Sequence, residues 1–324
     1  MSSPLLSIII PTYNRSRFLE AQLCGLEEQL TDEVEVLVSN NDSPDDTEEM
    51  LERRGFHIRY FRQEENIGGV LNVIFLLKKA GGKFILCLSD SDLLADDAVE
   101  RYLSFFRRNP DVGVLVSECQ GFVMNEEGER VDLSVTQKFF DSDKLLSKGA
   151  DALELVFKRA FLLGGMVFRA DLLDFDGVKE YYSSRYPQLF LAGKAAIQAD
   201  VYYLSEPLIF LREKIPKFWQ YSPDYQCGII IEMAKKLAGR LENGQRALRN
   251  IVEFRVNSVF SPLLDARGHS IGTWGRVVKN IAAIPEYRNH WKFWFWAVFI
   301  GLGGTKGVLF LRMIVHTVFR KKRH

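Results

Sequence analysis

The chain has 324 residues, of which 47% are hydrophobic and 26% are charged, a composition that indicates a globular protein with one large domain and an appendage or with two modest domains. Its four cysteines lie far apart without Cys-x-x-Cys spacing, which argues against a disulfide framework or a zinc cluster and fits a reducing cytosol. The formal net charge is zero, but residues 287–324 carry eight basic and no acidic side chains, so the rest of the chain has 34 basic against 42 acidic residues. The net basic charge is therefore concentrated at the carboxyl-terminal end. No nucleic-acid partner is expected.

The first half of the chain alternates short apolar runs with amphipathic segments. We predict strands at residues 5–10, 34–38, 58–61, 84–88 and 112–116, and helices near residues 17–30, 45–54, 68–80 and 96–107. Strands that alternate with helices of this length predict right-handed βαβ crossovers. The expected fold is therefore α/β, with a doubly wound, mostly parallel sheet.

Polar loops follow the predicted strands. The first loop, residues 11–16, contains neither a Gly-x-Gly-x-x-Gly nor a Gly-x-x-x-x-Gly-Lys motif, which argues against dinucleotide and P-loop sites. The second loop, residues 39–47, and the third, residues 64–72, are rich in Asn, Asp and Gly. Because ligands of open α/β sheets bind beyond the carboxyl ends of the strands, we expect these loops to converge on one edge of the sheet.

Two carboxylates, Asp90 and Asp92, follow the fourth predicted strand. A hard divalent cation prefers oxygen ligands, and such an ion neutralises a nucleoside diphosphate as it leaves. The pair is therefore a candidate site for a cation and a diphosphate. The alternative is that both aspartates merely end a strand and open the next helix, where acidic side chains favour the helix dipole.

These polar segments, in this order, resemble glycosyltransferase family 2 of the GT-A type. The matching segments are IIPTYNR at 9–15, SNNDSPDDT at 39–47, NIGG at 66–69 and SDSD at 89–92. The resemblance implies the GT-A (nucleotide-diphospho-sugar transferase) fold and an EC 2.4 activity, transfer of a sugar from a nucleoside diphosphate with inversion, assisted by Mn²⁺ or Mg²⁺. A more particular similarity is to enzymes that add deoxy or dideoxy sugars to bacterial O-antigen precursors.

The resemblance also implies roles for individual residues. The positions that match nucleotide-binding positions are Pro11, Thr12, Tyr13, Arg15, Asn41, Asn66, Gly68 and Asp90. Asp92 is expected to bind the metal, and Asp90 the ribose or the metal through water. Asn41 stands where the family commonly has an Asp that accepts the imide N–H of uracil. An amide both donates and accepts, so UDP is the default donor nucleotide while dTDP and CDP stay open. Asn41 is alternatively a turn residue with left-handed backbone, and Tyr13 alternatively packs against the first helix.

The general base is harder to place. An inverting transfer needs a carboxylate within hydrogen-bond reach of the acceptor hydroxyl. The family usually supplies it from an acidic pair before a helix, yet residues 174–189 contain no Glu-Asp pair. Asp176 and Glu180 are the candidates there, against the alternative of a solvated loop.

The pattern becomes helical from Tyr225, with helices expected at 229–241, 247–260 and 277–283 and a connection at 268–275. We expect a GT-A catalytic domain over residues 1–212 and a helical region over 213–324, whose tail from about 288 associates with membranes. Residues 291–302 are apolar and aromatic, but Gly303 ends the run short of the ~20 residues that span a bilayer. Basic residues recur on one helical face beyond it, which predicts an interfacial helix on anionic lipid. The alternative is a helix that docks on the domain or on a second subunit.

The sequence therefore predicts a cytoplasmic glycosyltransferase, peripheral on the inner face of the cell membrane, that acts on a lipid-linked saccharide acceptor in bacterial surface polysaccharide synthesis. One alternative is a sugar nucleotidyltransferase, which would need a glycine-rich basic loop near the first strand. The other is a non-catalytic, membrane-bound scaffold that keeps the fold, since fold alone does not fix function.

Overall fold

The computed structural model describes residues 3–125, 129–135, 138–159, 164–184, 186–213 and 223–303. The chain divides into two compact units. The first comprises residues 1–217 and 240–244, and the second comprises residues 218–239 and 245–324. Each unit has its own arrangement of secondary structure.

The first unit contains strands and helices in alternation. Its amino-terminal elements are β1 (Leu6–Thr12), α1 (Ser16–Glu27), β2 (Val34–Asn40), α2 (Thr47–Arg54), β3 (Arg59–Arg62), α3 (Gly69–Lys79), β4 (Phe84–Cys87), β5 (Leu93–Leu94) and α4 (Ala98–Arg108). They are followed by β6 (Val114–Met124), β7 (Arg130–Val135), β8 (Lys144–Leu146), α5 (Ala150–Arg159), β9 (Met166–Arg169), α6 (Pro187–Ala196) and β10 (Val201–Arg212). Two 3-10 turns, Ala170–Leu172 and Gly177–Tyr181, lie between β9 and α6.

The described strands form one sheet in the order β3-β2-β1-β4-β9-β6-β10-β5, with β7 paired to β6 and β8 paired to β10. The strands β3, β2, β1 and β4 are parallel, as are β6 and β10. The predicted α/β fold is confirmed. One feature was not foreseen: β9 inserts between β4 and β6 and runs antiparallel to both. A four-residue apolar run carries no information about its direction, which is set by its sheet neighbours.

The strands are apolar because helices cover the sheet. In β1, Leu6, Ile8 and Ile10 are fully buried in a core cluster with side chains of α1, α2 and α4. Phe84 of β4 stacks on Phe106 of α4 with ring centroids 3.9 Å apart. Strands buried in this way read as continuous hydrophobic runs, which is why the sequence pattern located them.

The register of the parallel strands defines two edges of the sheet. Thr12 pairs with Asn40, and Ile9 pairs with Cys87, so the loops after β1, β2 and β4 lie at the same end, the carboxyl edge. Because β9 is antiparallel, it ends at Arg169 opposite Phe84, at the other end, the amino edge. The carboxyl edge is therefore where the polar loops of the sequence meet.

The second unit is helical. It contains α7 (Pro223–Ala238), α8 (Gly244–Asn257), α9 (Phe260–His269), α10 (Ile271–Ala282), α11 (Pro285–Arg288) and α12 (Trp291–Leu302). The connection predicted at 268–275 is wrong. The break is confined to Ser270, whose hydroxyl caps α10 by accepting the N–H of Thr273 at 3.0 Å, and glycines in α9 and α10 do not interrupt either helix.

Helix α12 has two apolar faces. Phe293, Ala297 and Ile300 are buried in the core of the second unit. The opposite face is exposed and carries Trp291, Trp294, Phe295, Val298, Phe299 and Leu302. Over the residues that are described, no helix combines the length and the apolar character that a membrane crossing needs. The predicted basic amphipathic segment beyond residue 303 lies outside the described residues.

Candidate active site

The turn after β4 is held in place by helix α1. The side chain of Gln22, which is buried, donates from Nε2 to the carbonyl oxygens of Ser89 at 2.5 Å and Asp92 at 2.9 Å. These bonds fix the backbone that carries Asp90 and Asp92, which are only 5% and 6% exposed. Nothing in the local sequence marks Gln22, because it occupies one position of an amphipathic helix.

Asp90 ties this turn to the first loop. Its Oδ1 accepts from Arg15 Nη1 at 2.9 Å and its Oδ2 accepts from Thr12 Oγ1 at 3.0 Å. The backbone N–H of Tyr13 also donates to this carboxylate. Burial raises the pKa of Asp90, and the charge of Arg15 and these hydrogen bonds oppose that rise. The structure thus brings Thr12, Tyr13, Arg15 and Asp90 together in one buried network.

Asp92 differs from Asp90 because no cationic side chain of the described residues pairs with it directly. Among the described residues no salt bridge reaches Asp92, although the backbone N–H of Arg212 donates to its carboxylate. Burial raises the pKa of Asp92 to about 7 and the nearby charge of Asp90 adds to this rise, while the charges of Arg15 and Arg212 oppose it. A buried carboxylate that no cation contacts directly is costly unless a metal ion binds.

The surroundings of Asp92 fit a cation that is shared with a ligand. The described part of the chain contains no group of three or more His, Cys, Asp or Glu side chains that could hold a metal alone. Mg²⁺ and similar ions are commonly held by one or two carboxylates together with substrate phosphates and water. Gly164 brings backbone close to this carboxylate, since a Cβ there would lie 3.1 Å from Asp92 Oδ2. Asp92 would be the protein ligand, with Asp90 occupied by Arg15 and Thr12.

The second and third loops are joined through Asn41. Its Oδ1 accepts the N–H of Ile67 at 3.0 Å, and its Nδ2 donates to Asn66 Oδ1 at 2.9 Å. The same Asn66 oxygen accepts the N–H of Gly68 at 3.0 Å, which fixes the orientation of both amides. The alternative of a left-handed turn at Asn41 is wrong, because that backbone conformation falls on the next residue, Asp42, with φ 59°.

The other predicted nucleotide-binding residues lie at the same edge. Pro11 is in β1 opposite Ser39 of β2. Tyr13 is half-buried. Gly68 is exposed, with φ 82°, directly before α3, where its lack of a side chain permits this backbone conformation.

The structure does not bring the two candidate bases to this site. The segment that holds Asp176 and Glu180 continues from the amino edge, where β9 ends, and Lys78 at the end of α3 lies 5.5 Å from the ring of Phe175. The side chain of Asp176 is 93% exposed and pairs with Lys179 at 2.8 Å. Glu180 is also exposed. They were chosen because the family usually supplies its base from this region, and the sequence alone does not show where the segment lies relative to the aspartate pair.

Arg212, at the end of β10, is a site residue that sequence reasoning missed. Its Nε donates to the carbonyl of Ser91 at 3.3 Å, and its guanidinium lies 5.0 Å from the ring of Phe18 and 4.7 Å from the ring of Phe122. Burial lowers the pKa of Arg212, and the charge of Arg17 adds to this effect. Its role depends on β10 passing the aspartate turn, which no local sequence pattern encodes.

Residues 7–160 match the model of the family described as Glycosyl transferase family 2. This span contains β1 except its first residue, β2 to β4, all three polar loops and both aspartates. Residues 7–160 therefore belong to glycosyltransferase family 2, a family of EC 2.4 enzymes, and the first unit has the GT-A fold.

Curated relatives and solved structures agree with this assignment. The abequosyltransferase RfbV of Salmonella typhimurium is 25% identical over 228 residues, which cover 64% of this chain and 66% of that protein. The GalNAc(5)-diNAcBac-PP-undecaprenol beta-1,3-glucosyltransferase of Campylobacter jejuni is 27% identical over 203 residues, 61% of this chain and 60% of that protein. The matches thus span about three fifths to two thirds of the length of these relatives. The structure of S. aureus TarS 1-349 in complex with UDP-GlcNAc has the same fold, with a TM-score of 0.64 at 18% identity over 92% of this chain and 90% of that one.

We predict that Asp92→Asn stabilises the metal-free protein at mildly alkaline pH. The raised pKa means that folded Asp92 holds a proton which the unfolded chain has lost, so stability falls as pH rises from the ordinary value of 3.8 through about 7. The amide avoids this loss. Melting temperatures with a chelator present should show a gain for the variant that grows between about pH 5 and about pH 8. A gain that is absent at the higher pH would contradict the description of Asp92.

We predict that Arg15→Met and Asp90→Asn have strongly non-additive effects. Removing Arg15 leaves the Asp90 carboxylate buried without its partner, which typically costs about 3–5 kcal/mol. The double variant removes both charges and should recover part of this loss. Urea unfolding of the wild type, both single variants and the double variant measures the coupling, and simple additivity would show that the two side chains do not form the network described.

Proposed function

We propose that the protein transfers a sugar, with inversion, from a nucleoside diphosphate sugar to a saccharide acceptor in bacterial surface polysaccharide synthesis. The observation that carries this proposal is the buried network of Thr12, Arg15 and Asp90 beside the buried carboxylate of Asp92, which no salt bridge of the described residues reaches. It lies within the span that matches the family. We place the catalytic domain at residues 1–212 and the helical region at residues 213–324.

The residues at the carboxyl edge have distinct tasks in this proposal. Asp92 holds Mn²⁺ or Mg²⁺ together with the donor's diphosphate. When bound, the ion neutralises the charge of the leaving nucleoside diphosphate. Arg15 and Thr12 hold Asp90 rigidly, so that its carboxylate faces the ribose or a metal-bound water without rotating.

The nucleoside is proposed to lie against Tyr13 and the joined second and third loops. Asn41, with Asn66 and Gly68, forms one wall whose amides are fixed by hydrogen bonds. UDP is the default nucleotide, and the TarS structure, which has this fold, was determined with UDP-GlcNAc. An amide at position 41 leaves dTDP and CDP open as well.

The acceptor is proposed to be a lipid-linked saccharide. One relative carries undecaprenol diphosphate in its name. A lipid-linked acceptor is confined to the membrane surface, so the enzyme must reach that surface. The apolar exposed face of α12 provides the means in this chain.

We expect a nucleotide-sugar panel to identify the donor. UDP-, dTDP-, CDP- and GDP-sugars are each added with Mn²⁺, and the melting temperature is measured, because a ligand bound only by the folded form raises it. One nucleotide class should stabilise the wild type more in Mn²⁺ than in a chelator. Asp92→Ala should lose this metal-dependent part and lose turnover. No stabilisation by any nucleotide sugar, or full activity of Asp92→Ala, would contradict the proposed function.

Membrane association is proposed from α12 and from the charge of the chain around it. Trp291 and Leu302 at its two ends are 69% and 85% exposed, and the rings of Phe295 and Phe299 are stacked between them, 5.7 Å apart. A contiguous exposed apolar face of this kind marks an interaction surface. The eight basic and no acidic residues of 287–324 favour anionic lipid as the partner. We therefore place the protein on the cytoplasmic face of the membrane as a peripheral enzyme.

We predict that Phe295→Ser with Phe299→Ser weakens binding of the full chain to phosphatidylglycerol vesicles at least about tenfold. Burying each Phe contributes about 1.5–3 kcal/mol, and 1.4 kcal/mol is about tenfold in affinity. Co-sedimentation measures the bound fraction. Ile271→Ser is the matched control, since Ile271 is 62% exposed on a different helix. Equal sedimentation of both variants, or equal binding to neutral phosphatidylcholine, would contradict association with anionic lipid through α12.

A further inference from the structure

Three acidic side chains are buried among the residues that the structure describes: Asp90, Asp92 and Glu118. The first two belong to the network at the end of β4. Glu118 lies in β6 and is 0% exposed. A fully buried carboxylate carries a desolvation cost that folding alone does not explain.

The two carboxylate oxygens of Glu118 have different environments. Oε1 accepts a hydrogen bond from the hydroxyl of Tyr203 in β10. Oε2 is buried and has no hydrogen-bond partner within the described part of the chain. Native proteins leave few such atoms, and each one calls for a ligand, a water or a functional role.

Arg159, at the end of α5, has matching unused donors. Its Nη2 donates to the carbonyl of Ser117 at 2.8 Å and to Cys119 Sγ at 2.7 Å. Its Nε and Nη1 are buried and find no partner in the described residues. The charge of Arg159 acts on Glu118, yet no salt bridge within 4.0 Å joins the two among the pairs described. A group that both donates and accepts, as a hydroxyl does, satisfies both side chains at once.

Two adjacent glycines show where Arg159 lies relative to Asp92. A Cβ on Gly164 would lie 3.1 Å from Asp92 Oδ2, and a Cβ on Gly165 would lie 3.1 Å from Arg159 Nη2. Neighbouring Cα atoms are about 3.8 Å apart, so the carboxylate of Asp92 and the guanidinium of Arg159 lie on either side of a single peptide unit. Both side chains therefore border the same glycine pair.

The sheet register shows that Glu118 lies at the same edge of the sheet as the aspartate turn. Val116 of β6 and Cys87 of β4 both pair with Met166 of β9, so they lie at the same height. Glu118 is two residues beyond Val116, level with the start of the aspartate turn. Strands are about 4.8 Å apart, so β6, which is separated from β4 by β9, lies about 10 Å from it.

We propose that Glu118 is the general base of the transfer and that Arg159 holds the acceptor oxygen. This inference rests on the proposed function. The acceptor hydroxyl gives its proton to Glu118 Oε2 while its oxygen forms the bond to the anomeric carbon. The bond from that carbon to the diphosphate oxygen breaks, and the nucleoside diphosphate leaves with the electron pair. The proton then passes from Glu118 to solvent.

The charged and titratable groups around Glu118 tune it for this task. Burial raises its pKa. The hydroxyl of Tyr203, the charges of Arg159 and Lys138 and the N–H of Phe139 act in the opposite direction. Cys119, next to it in β6, is a buried thiol whose own pKa burial raises to about 11. Tyr203 is thus a positioning residue whose hydrogen bond favours the ionised form of Glu118.

The test uses Glu118→Gln in the full chain, with Glu180→Gln as the matched control on the exposed turn. The probe is the nucleotide sugar that stabilises the wild type, with Mn²⁺, and the readout is release of nucleoside diphosphate to water as acceptor. Glu118→Gln should keep the ligand-induced rise in melting temperature but release nucleoside diphosphate about 10²–10⁴-fold more slowly. Glu180→Gln should match the wild type. Unchanged turnover of Glu118→Gln would overturn the assignment.

Tyr203→Phe gives a second readout that a purely structural role would not move. Loss of its hydrogen bond raises the pKa of Glu118, so the acidic limb of the kcat profile should shift to higher pH. This test decides the matter if Glu118→Gln fails to fold, and an unshifted limb would refute the role of Glu118. If the wild type itself neither binds nor cleaves any nucleotide sugar, the proposed function fails and this inference fails with it. If the wild type is active and Glu118→Gln is equally active, the role of Glu118 is refuted and the proposed function stands.

Discussion

The desolvation of two carboxylates at the end of β4 is the constraint on which the rest of the site depends. Both are almost fully buried, but Arg15 forms a direct salt bridge only with Asp90. Burying a carboxylate without a partner costs several kcal/mol, so the fold gives up stability to keep Asp92 in this position. The bonds from Gln22 to the backbone of the turn prevent Asp92 from swinging into solvent to relieve this cost. Because the site is destabilised without a cation, binding of a cation there is more favourable in free energy.

The sequence was sufficient to locate the first four strands, the loops after them and the aspartate pair. This was possible because strands buried on both faces leave continuous apolar runs, and because parallel strands necessarily bring their carboxyl ends together. The same reasoning failed after residue 160. A run of four apolar residues does not show that β9 is antiparallel, and the resemblance that suggested Asp176 and Glu180 does not show that their segment continues from the amino edge of the sheet.

Contacts made by long-range packing were also beyond the sequence. Gln22 lies in an ordinary amphipathic helix and Arg212 at the end of an ordinary strand, and each reaches the aspartate turn only once the sheet has formed. Glu118 lies in an apolar strand, which is a signal in itself, because an acidic residue in such a run must either break the pattern or serve a purpose. In the second unit, propensity misjudged residues 268–275, since glycine lowers helix stability by only about 1 kcal/mol and packing overcame it.

The orientation of the Asn41 and Asn66 amides has a consequence for how this protein can evolve. An Asp at position 41 would set a carboxylate oxygen against Asn66 Oδ1, which the N–H of Gly68 already holds in place. Rotating Asn66 to relieve that repulsion would turn its amino group onto the same N–H. Positions 41 and 66 are therefore epistatic, and a lineage that changes the nucleobase contact at one of them must substitute the other at nearly the same time.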